Sequence, residues 1–421
     1  MELSYGTTIL SFLPDPRVAW RILPEVEPVP AAAAGPGILR NAIKQLLGKL
    51  KEGGAAAGES LLLVVPDHTR RCRLDEVLGL LLPELEARFA PRVSILVANG
   101  SHVVQPDPLV RDLVGDKVYN CYPVAQHDCR EEGQLESIGM TSFGTPVIIN
   151  RAALEADRIV TIGGILYHYF AGFGGGPKML LPGIAGAETI RINHRRTLNP
   201  ATGQFHPDCR EGNIETNPVY LDLAEIVRFF PAALSLQLVL SPQGEIAAAA
   251  AGPILPVQRE LVPLVRDFYN LPIGERADVV IASAGGHPAD INLIQSHKSI
   301  HHAYQAVKSG GTLIVLAECR EGVGSAAFMD YFTGVSAAEM GRELLGNYRI
   351  NGHTALTLKS KCEGAQIILI SALPPELVRR TGMVPAASLA KAWQLAGPNL
   401  PAGATGLILP RAAKYLPISQ S

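Results

Sequence analysis

The sequence predicts an α/β protein of two α/β domains, each built on a mostly parallel sheet. Short continuous apolar runs such as LLLVV (Leu61–Val65), VSILVANG (Val93–Gly100) and DVVIAS (Asp278–Ser283) read as strands covered on both faces. Helical patterns alternate with them, as at Leu74–Arg88 and Pro256–Tyr269. A chain of 421 residues is also long for a single core.

Taken in order, the Pro/Ala-rich stretch Pro14–Gly37 reads as surface and Ile38–Lys51 as a helix. The strands and helix already named follow, then a helix near Pro106–Val114 and the strands PVIIN (Pro146–Asn150) and DRIVTIGG (Asp157–Gly164). LSLQLVL (Leu234–Leu240) alternates, turns at Ser-Pro-Gln-Gly and resumes at Glu245, the pattern of an antiparallel hairpin at a sheet margin. Leu271–Gly274 reads as a linker, which sets the domains at residues 1–273 and 274–421, with the final residues able to pack back on the first. Beyond it come a helix through Asn292–Lys308, GTLIVLAE (Gly311–Glu318), a helix around Ala337–Leu345, QIILIS (Gln366–Ser371), two short helices and GLILP (Gly406–Pro410).

A net charge of −2 gives no support to a nucleic-acid partner, which would want a basic face. The six cysteines are scattered with no CxxC pair, which argues against structural zinc and for reduced thiols in the cytoplasm. The opening MELSYG has no basic region of a signal peptide. No apolar run approaches the roughly twenty residues needed to span a bilayer, so no membrane role is expected.

The segment Tyr167–His194 (YHYFAGFGGGPKMLLPGIAGAETIRINH) concentrates chemistry. His168 lies just beyond a strand's carboxyl end, where open α/β sheets bind ligands. The glycines after it, Gly174, Gly175 and Gly176 among them, let backbone approach a ligand, while Lys178 supplies an amine for an anion or a covalent bond. His194 offers an imidazole suited to a transition metal. GxxxxGK[ST] fails because Pro177 and Met179 flank the lysine, and GxGxxG fails because Pro177 takes the place of its final glycine. A glycine loop feeding a short helix could still cradle a phosphate, and a tight structural turn would use the same glycines.

Three further groups stand at or past strand ends. Asp67-His68-Thr69-Arg70 sets an acid and a guanidinium beside a hydroxyl, able to grip a carboxylate or phosphate; an N-cap with a surface salt bridge would use the same residues. In Asn99-Gly100-Ser101-His102 the imidazole is a candidate general base. Gln295 and Lys298 share a helical face on which His301 and His302 extend the polar surface, as an ordinary solvated face also would. These grips suggest a small anionic substrate held near a metal or phosphate-bearing cofactor in the cleft between the domains. A metal-dependent hydrolase or lyase using His168 and His194 is a second reading, without the carboxylates such a site wants, and a non-catalytic nucleotide-binding or cofactor-binding protein is a third.

At these residues the chain resembles the nickel-dependent lactate racemase family, most specifically in HYFAGFGGGPKMLLPG, with Asp67-x-Thr69-Arg70, Gly100-Ser101-His102, His194 and Gln295-x-x-Lys298 in the expected order. The resemblance implies a two-domain α/β fold and racemisation or epimerisation of a 2-hydroxy acid. It implies a nickel-pincer nucleotide, a pyridinium mononucleotide whose two sulfur-containing arms and a ring carbon hold nickel, and hence enzymes that make this cofactor as partners. Lys178 would carry it through a thioamide, His194 would ligate nickel, and Asp67, Thr69 and Gly174–Gly176 would line it. His102 and His168 would be paired acid/base residues on opposite faces of the substrate, with Arg70, Gln295 and Lys298 on its carboxylate or hydroxyl. The hydrogen on the α-carbon would leave as hydride, giving a planar 2-oxo acid that accepts it back on either face. Arg71 stands where the family often has proline, as a surface charge or, by hypothesis, a second grip for a diacid or sugar acid, and His353 follows Asn351-Gly352.

Overall fold

The structure, a computed structural model, describes every residue except 24–35, 71, 420 and 421. Arg71 and much of the Pro14–Gly37 stretch therefore lie outside the described residues. Two compact units emerge, one of Glu27–Thr197 and Pro207–Phe268, the other of Met1–Val26, Leu198–His206 and Tyr269–Ser421. They are called here the N-terminal and C-terminal units.

The N-terminal unit is built on a six-stranded sheet in the order Ile246–Pro253, Leu234–Leu240, Arg158–Gly164, Ser60–Pro66, Arg92–Ala98, Val124–Gln126. All neighbours are parallel except the expected marginal hairpin, Leu234–Leu240 with Ile246–Pro253. Leu61–Val65 is buried throughout, which accounts for its uninterrupted apolar run. Helix Leu74–Phe89 buries Leu74, Val77, Leu78, Leu81, Leu82 and Leu85, spaced three and four apart along one face. The core joins this stripe to Leu63, Val65, Ile95 and Val97. PVIIN differs from a place in the parallel alternation: Pro146–Asn150 pairs antiparallel with Leu135–Met140, outside the main sheet.

The C-terminal unit holds a second six-stranded sheet, wholly parallel, in the order Val384–Ala386, Gln366–Ile370, Val307–Leu316, Ala277–Ser283, Thr405–Leu409, Ala19–Ile22. The last of these strands departs from a single division at residue 273. Ala19–Ile22 completes the edge beside Thr405–Leu409. Leu198–His206 also belongs here, since Leu198 joins this core and Gly203 lies so close to Gly341 that a Cβ on Gly341 would stand 2.3 Å from its carbonyl oxygen. The expected linker is itself a strand, Asn270–Gly274, paired in parallel with Leu416–Ser419 within the same unit.

Candidate active site

The first sheet reverses its winding between two adjacent strands. From Ser60–Pro66 the chain adds Arg92–Ala98 and Val124–Gln126 on one side, and from Arg158–Gly164 it adds the hairpin on the other. The crevice beyond the carboxyl ends of such a pair is where open α/β sheets take ligands. Asp67–Arg70 leaves one of these strands, and the other leads to Tyr167–His168.

Asp67 is buried, and its carboxylate organises the first loop. Oδ1 accepts from the Thr69 backbone N–H at 3.1 Å and from its hydroxyl at 2.7 Å, and Oδ2 lies 2.5 Å from His102 Nδ1. Burial alone would raise this carboxyl, but the hydrogen bond and charge of His102, with the Arg70 guanidinium, hold it at about 2. An ionised carboxylate can only accept, so Nδ1 of His102 carries a hydrogen and Nε2 of the neutral ring keeps its lone pair. The His102 loop is pinned by Gly100 N–H to the Gly183 carbonyl at 3.0 Å and by its own N–H to the Asn99 carbonyl at 3.0 Å.

His168 sits in a tiny hairpin, Tyr167–His168 against Gly172–Phe173. Its Nδ1 accepts the Ala171 backbone N–H at 3.3 Å, so in the neutral ring the hydrogen is on Nε2. The two histidines thus hold opposite tautomers.

Phe170 gathers the rest. Its ring centroid is 4.5 Å from that of His168, 5.0 Å from that of His194 and 5.1 Å from Lys178 Nζ. Burial of the amine, reinforced by the charge of Arg70, lowers the Lys178 ammonium to about 7. The residue as a whole is only half-buried, but the desolvation cost follows the amine rather than the stem. Lys178 lies in the turn Gly176–Met179, and His194, buried, on helix Ala187–Arg195. Asp222, fully buried, steadies that helix by accepting from Asn193 Nδ2 at 2.9 Å and Arg196 Nε at 3.0 Å, and from the hydroxyls of Thr141 and Thr145, each at 2.7 Å.

The glycine loop proves to be partly a packing device. Gly175 and Gly176 have φ of +64° and +52°, and a Cβ would stand 2.6 Å from Gln237 Oε1 at the first and 2.7 Å from Gln258 Cδ at the second. Gly176 N–H donates to Gln237 Oε1 at 3.0 Å, and Gln258 Nε2 donates to the Gly174 carbonyl at 3.3 Å. Gly174 alone has room, with nothing nearer than 3.8 Å to an added Cβ.

His127 joins the base loop to the lysine loop. Its Nε2 donates to the Ala185 carbonyl at 3.0 Å, Nδ1 accepts from Asn150 Nδ2 at 3.2 Å, and its own carbonyl accepts from Asn99 Nδ2 at 2.9 Å. Burial lowers its pKa, which favours the neutral ring this pattern requires. No local pattern marks His127, Asp222, Gln237 or Gln258, whereas Phe170 stood inside the glycine-rich segment and was detectable there.

The structure therefore ties Asp67, Thr69 and His102 directly, joins Arg70 to both Asp67 and Lys178 through charge, and clusters His168, Lys178 and His194 on Phe170. Gln295 and Lys298 belong to the C-terminal unit, on helix Leu293–Tyr304, where Lys298 Nζ donates to Gln295 Oε1 at 3.0 Å. Among the described residues no three His, Cys, Asp or Glu side chains gather in a way that could hold a metal. No helix among them is long and apolar enough to cross a membrane.

Residues 5–204 match the lactate racemase N-terminal domain and residues 274–410 the lactate racemase C-terminal domain. A lactate racemase from Thermoanaerobacterium thermosaccharolyticum is 31% identical over 337 residues, 79% of this chain and 77% of that protein. One from Lactiplantibacillus plantarum is 31% identical over 278 residues, 65% of this chain and 63% of that one. The lactate racemase apoprotein structure from the Thermoanaerobacterium species superposes with a TM-score of 0.87 at 26% identity, over 100% of this chain and 99% of that one. A Thermotoga maritima protein shares the fold at a TM-score of 0.68 and 16% identity, over 91% of this chain and 98% of its own. The protein is an enzyme, an isomerase on a two-domain α/β fold. The chain belongs to the lactate racemase family.

Proposed function

We propose that this enzyme racemises or epimerises a 2-hydroxy acid, lactate being the substrate named for its relatives, with His102 and His168 as the proton-transfer pair. The observation that carries the reading is the opposite tautomers of these histidines: Asp67 leaves His102 able to accept at Nε2, while Ala171 N–H leaves His168 able to donate at Nε2. Inverting a carbon that bears a hydroxyl needs one group to take the hydroxyl proton and another to return it from the other face. His102 Nε2 would take it in one direction, His168 Nε2–H would give it back at the 2-oxo oxygen, and the roles would exchange in reverse. Arg70, with Gln295 and Lys298, would hold the carboxylate.

The residues fit a nickel-pincer nucleotide. When bound, such a group would supply a hydride acceptor for the hydrogen on the substrate's C2. Lys178, with its ammonium lowered to about 7, is deprotonated about half of the time at neutral pH and then offers a nucleophilic amine for the covalent link. Among the described residues no set of His, Cys, Asp and Glu side chains gathers that could hold a metal, so nickel beside His194 would take its other donors from an organic group. Asp67 and Thr69 would line the group beside Gly174, whose added Cβ would meet nothing nearer than 3.8 Å; Gly175 and Gly176 would contribute backbone only. The enzymes that make this nucleotide would be its partners, in the cytoplasm.

The test is chiral assay of protein co-produced with cofactor-making enzymes, with mass spectrometry of Lys178. His102→Ala and His168→Ala should each abolish racemisation while the Lys178 adduct persists. Racemisation retained by either variant would refute the two-histidine mechanism.

A further inference from the structure

Two buried polar atoms at the crevice of the first sheet have no hydrogen-bond partner among the described residues: His68 Nδ1 and Asn99 Oδ1, both in the N-terminal unit. An unmatched polar atom withdrawn from water is costly, and few persist in a native fold without a reason. These two stand on neighbouring strands. Pro66 faces Ala98 in the parallel register, so Asp67-His68 and Asn99-Gly100 leave the sheet side by side. Asp67 Oδ2, 2.5 Å from His102 Nδ1, ties the two loops together.

The Asn99 oxygen is a fixed acceptor. Asn99 is 2% exposed, and its Nδ2 donates to the His127 carbonyl at 2.9 Å and to Gln126 Oε1 at 3.3 Å. Gln126 is itself held, since its Oε1 accepts the Gln105 N–H and its Nε2 donates to the Gln105 carbonyl, each at 2.8 Å. Turning the Asn99 amide over would set its oxygen against two others, so Oδ1 stays where it is. His68 rides on a loop that does not depend on its ring, because Asp67 Oδ1 fixes that backbone through the Thr69 N–H and hydroxyl.

These atoms select the chemistry of what meets them. A carboxylate or a phosphate dianion only accepts, so either would oppose Asn99 Oδ1. An alkyl group would leave both atoms unmatched. A hydroxyl donates and accepts, which satisfies the amide oxygen and either tautomer of His68. Two atoms on two strands call for two hydroxyls. Lactate brings one, which His102 and His168 claim in the proposed proton transfer, whereas the ribose of a pyridinium mononucleotide brings an adjacent pair.

We propose that His68 and Asn99 form a sugar subsite for the nucleotide, with His68 Nδ1 and Asn99 Oδ1 each taking one ribose hydroxyl. The inference rests on the proposed nucleotide reading. It adds two residues that act on the sugar rather than on the ring, the metal or the phosphate. A site built to hydrogen-bond a ligand hydroxyl rejects the analogue that lacks it, because its own polar atoms are then left unmatched.

The experiment titrates full-length protein, made without cofactor-making enzymes, with nicotinic acid mononucleotide and with its 2′,3′-dideoxy analogue, and reads Kd by calorimetry. No hydroxy acid is present, so a substrate hydroxyl cannot produce the difference. Wild type should bind the ribonucleotide at least about tenfold more tightly. Asn99→Leu and His68→Phe should each remove most of that preference. Asn99 Nδ2 also holds the end of strand Val124–Gln126, so His68→Phe keeps the test decisive should Asn99→Leu fail to fold. Equal binding of the two nucleotides by wild type overturns the inference and makes internal water the partner of both atoms. A preference undiminished in His68→Phe overturns it too. Wild type that binds neither nucleotide, yet carries the Lys178 adduct when co-produced with cofactor-making enzymes, overturns this inference and leaves the nucleotide reading standing. Wild type that never carries the adduct overturns both.

Discussion

In the N-terminal unit the chemistry-bearing side chains stand on separate loops, a turn and a helix, and are set by separate contacts: Asp67 against His102, Ala171 N–H against His168, and the Phe170 ring against Lys178 and His194. In the C-terminal unit a single helix carries Gln295, His297, Lys298, His301 and His302, and these groups lean on one another. Loops at strand ends can each fix one tautomer or one lowered pKa, which suits proton transfer and covalent attachment. A helix presents a fixed row of groups, which suits reading the length and polarity of a ligand. The contrast teaches a division between groups set one by one by separate contacts and groups set together along one helix.

The sharpest way to break that division is Asp67→Asn. An amide is neutral and can present its NH2 to Nδ1, which would move the His102 hydrogen to Nε2 and remove its accepting lone pair. Racemisation turnover should fall about a thousandfold with KM little changed. A variant with near-normal turnover would mean that the carboxylate sets nothing. Gln295→Ala should do the reverse, raising KM about tenfold at nearly constant turnover; a drop confined to turnover would place the C-terminal unit in the chemistry.

The smallest effect concerns stability and needs no turnover. Folded Lys178 loses its proton near pH 7, whereas the unexposed cost is absent in an unfolded chain whose lysine holds its proton up to about 10.5. Between those values the folded state binds fewer protons, so native stability rises with pH, and below pH 7 the burial cost is present in full. For protein made without cofactor-making enzymes, Lys178→Met should therefore raise Tm by a few degrees at about pH 6, and the gain should shrink toward about pH 10. A gain independent of pH would show that the amine pays no desolvation penalty.

Much of this molecule is legible in its sequence. Leu61–Val65, Asp278–Ser283 and Gln366–Ile370 are strands because buried parallel strands are apolar on both faces, and that signal is local. The residues at their carboxyl ends are legible for the same reason, since a polar group interrupting such a run marks where the strand leaves its sheet. The hairpin of Leu234–Leu240 with Ile246–Pro253 follows from alternation and a turn.

Only the tertiary structure decides which distant segments meet. Ala19–Ile22 carries no mark of its partner, yet it closes the edge of a sheet formed by the chain's other end. Gly175 and Gly176 read as ligand-approaching glycines, but Gln237 and Gln258 press on them. His301 and His302 read equally as a ligand-facing polar surface or a solvated face, and the fold buries them. Periodicity records whether a residue is covered on a regular face, because that choice repeats every turn or every second residue. It records nothing about what covers it. Pairings such as Asp67 with His102, or Asp222 with Asn193, arise where separate loops and helices converge, and no local pattern encodes that convergence.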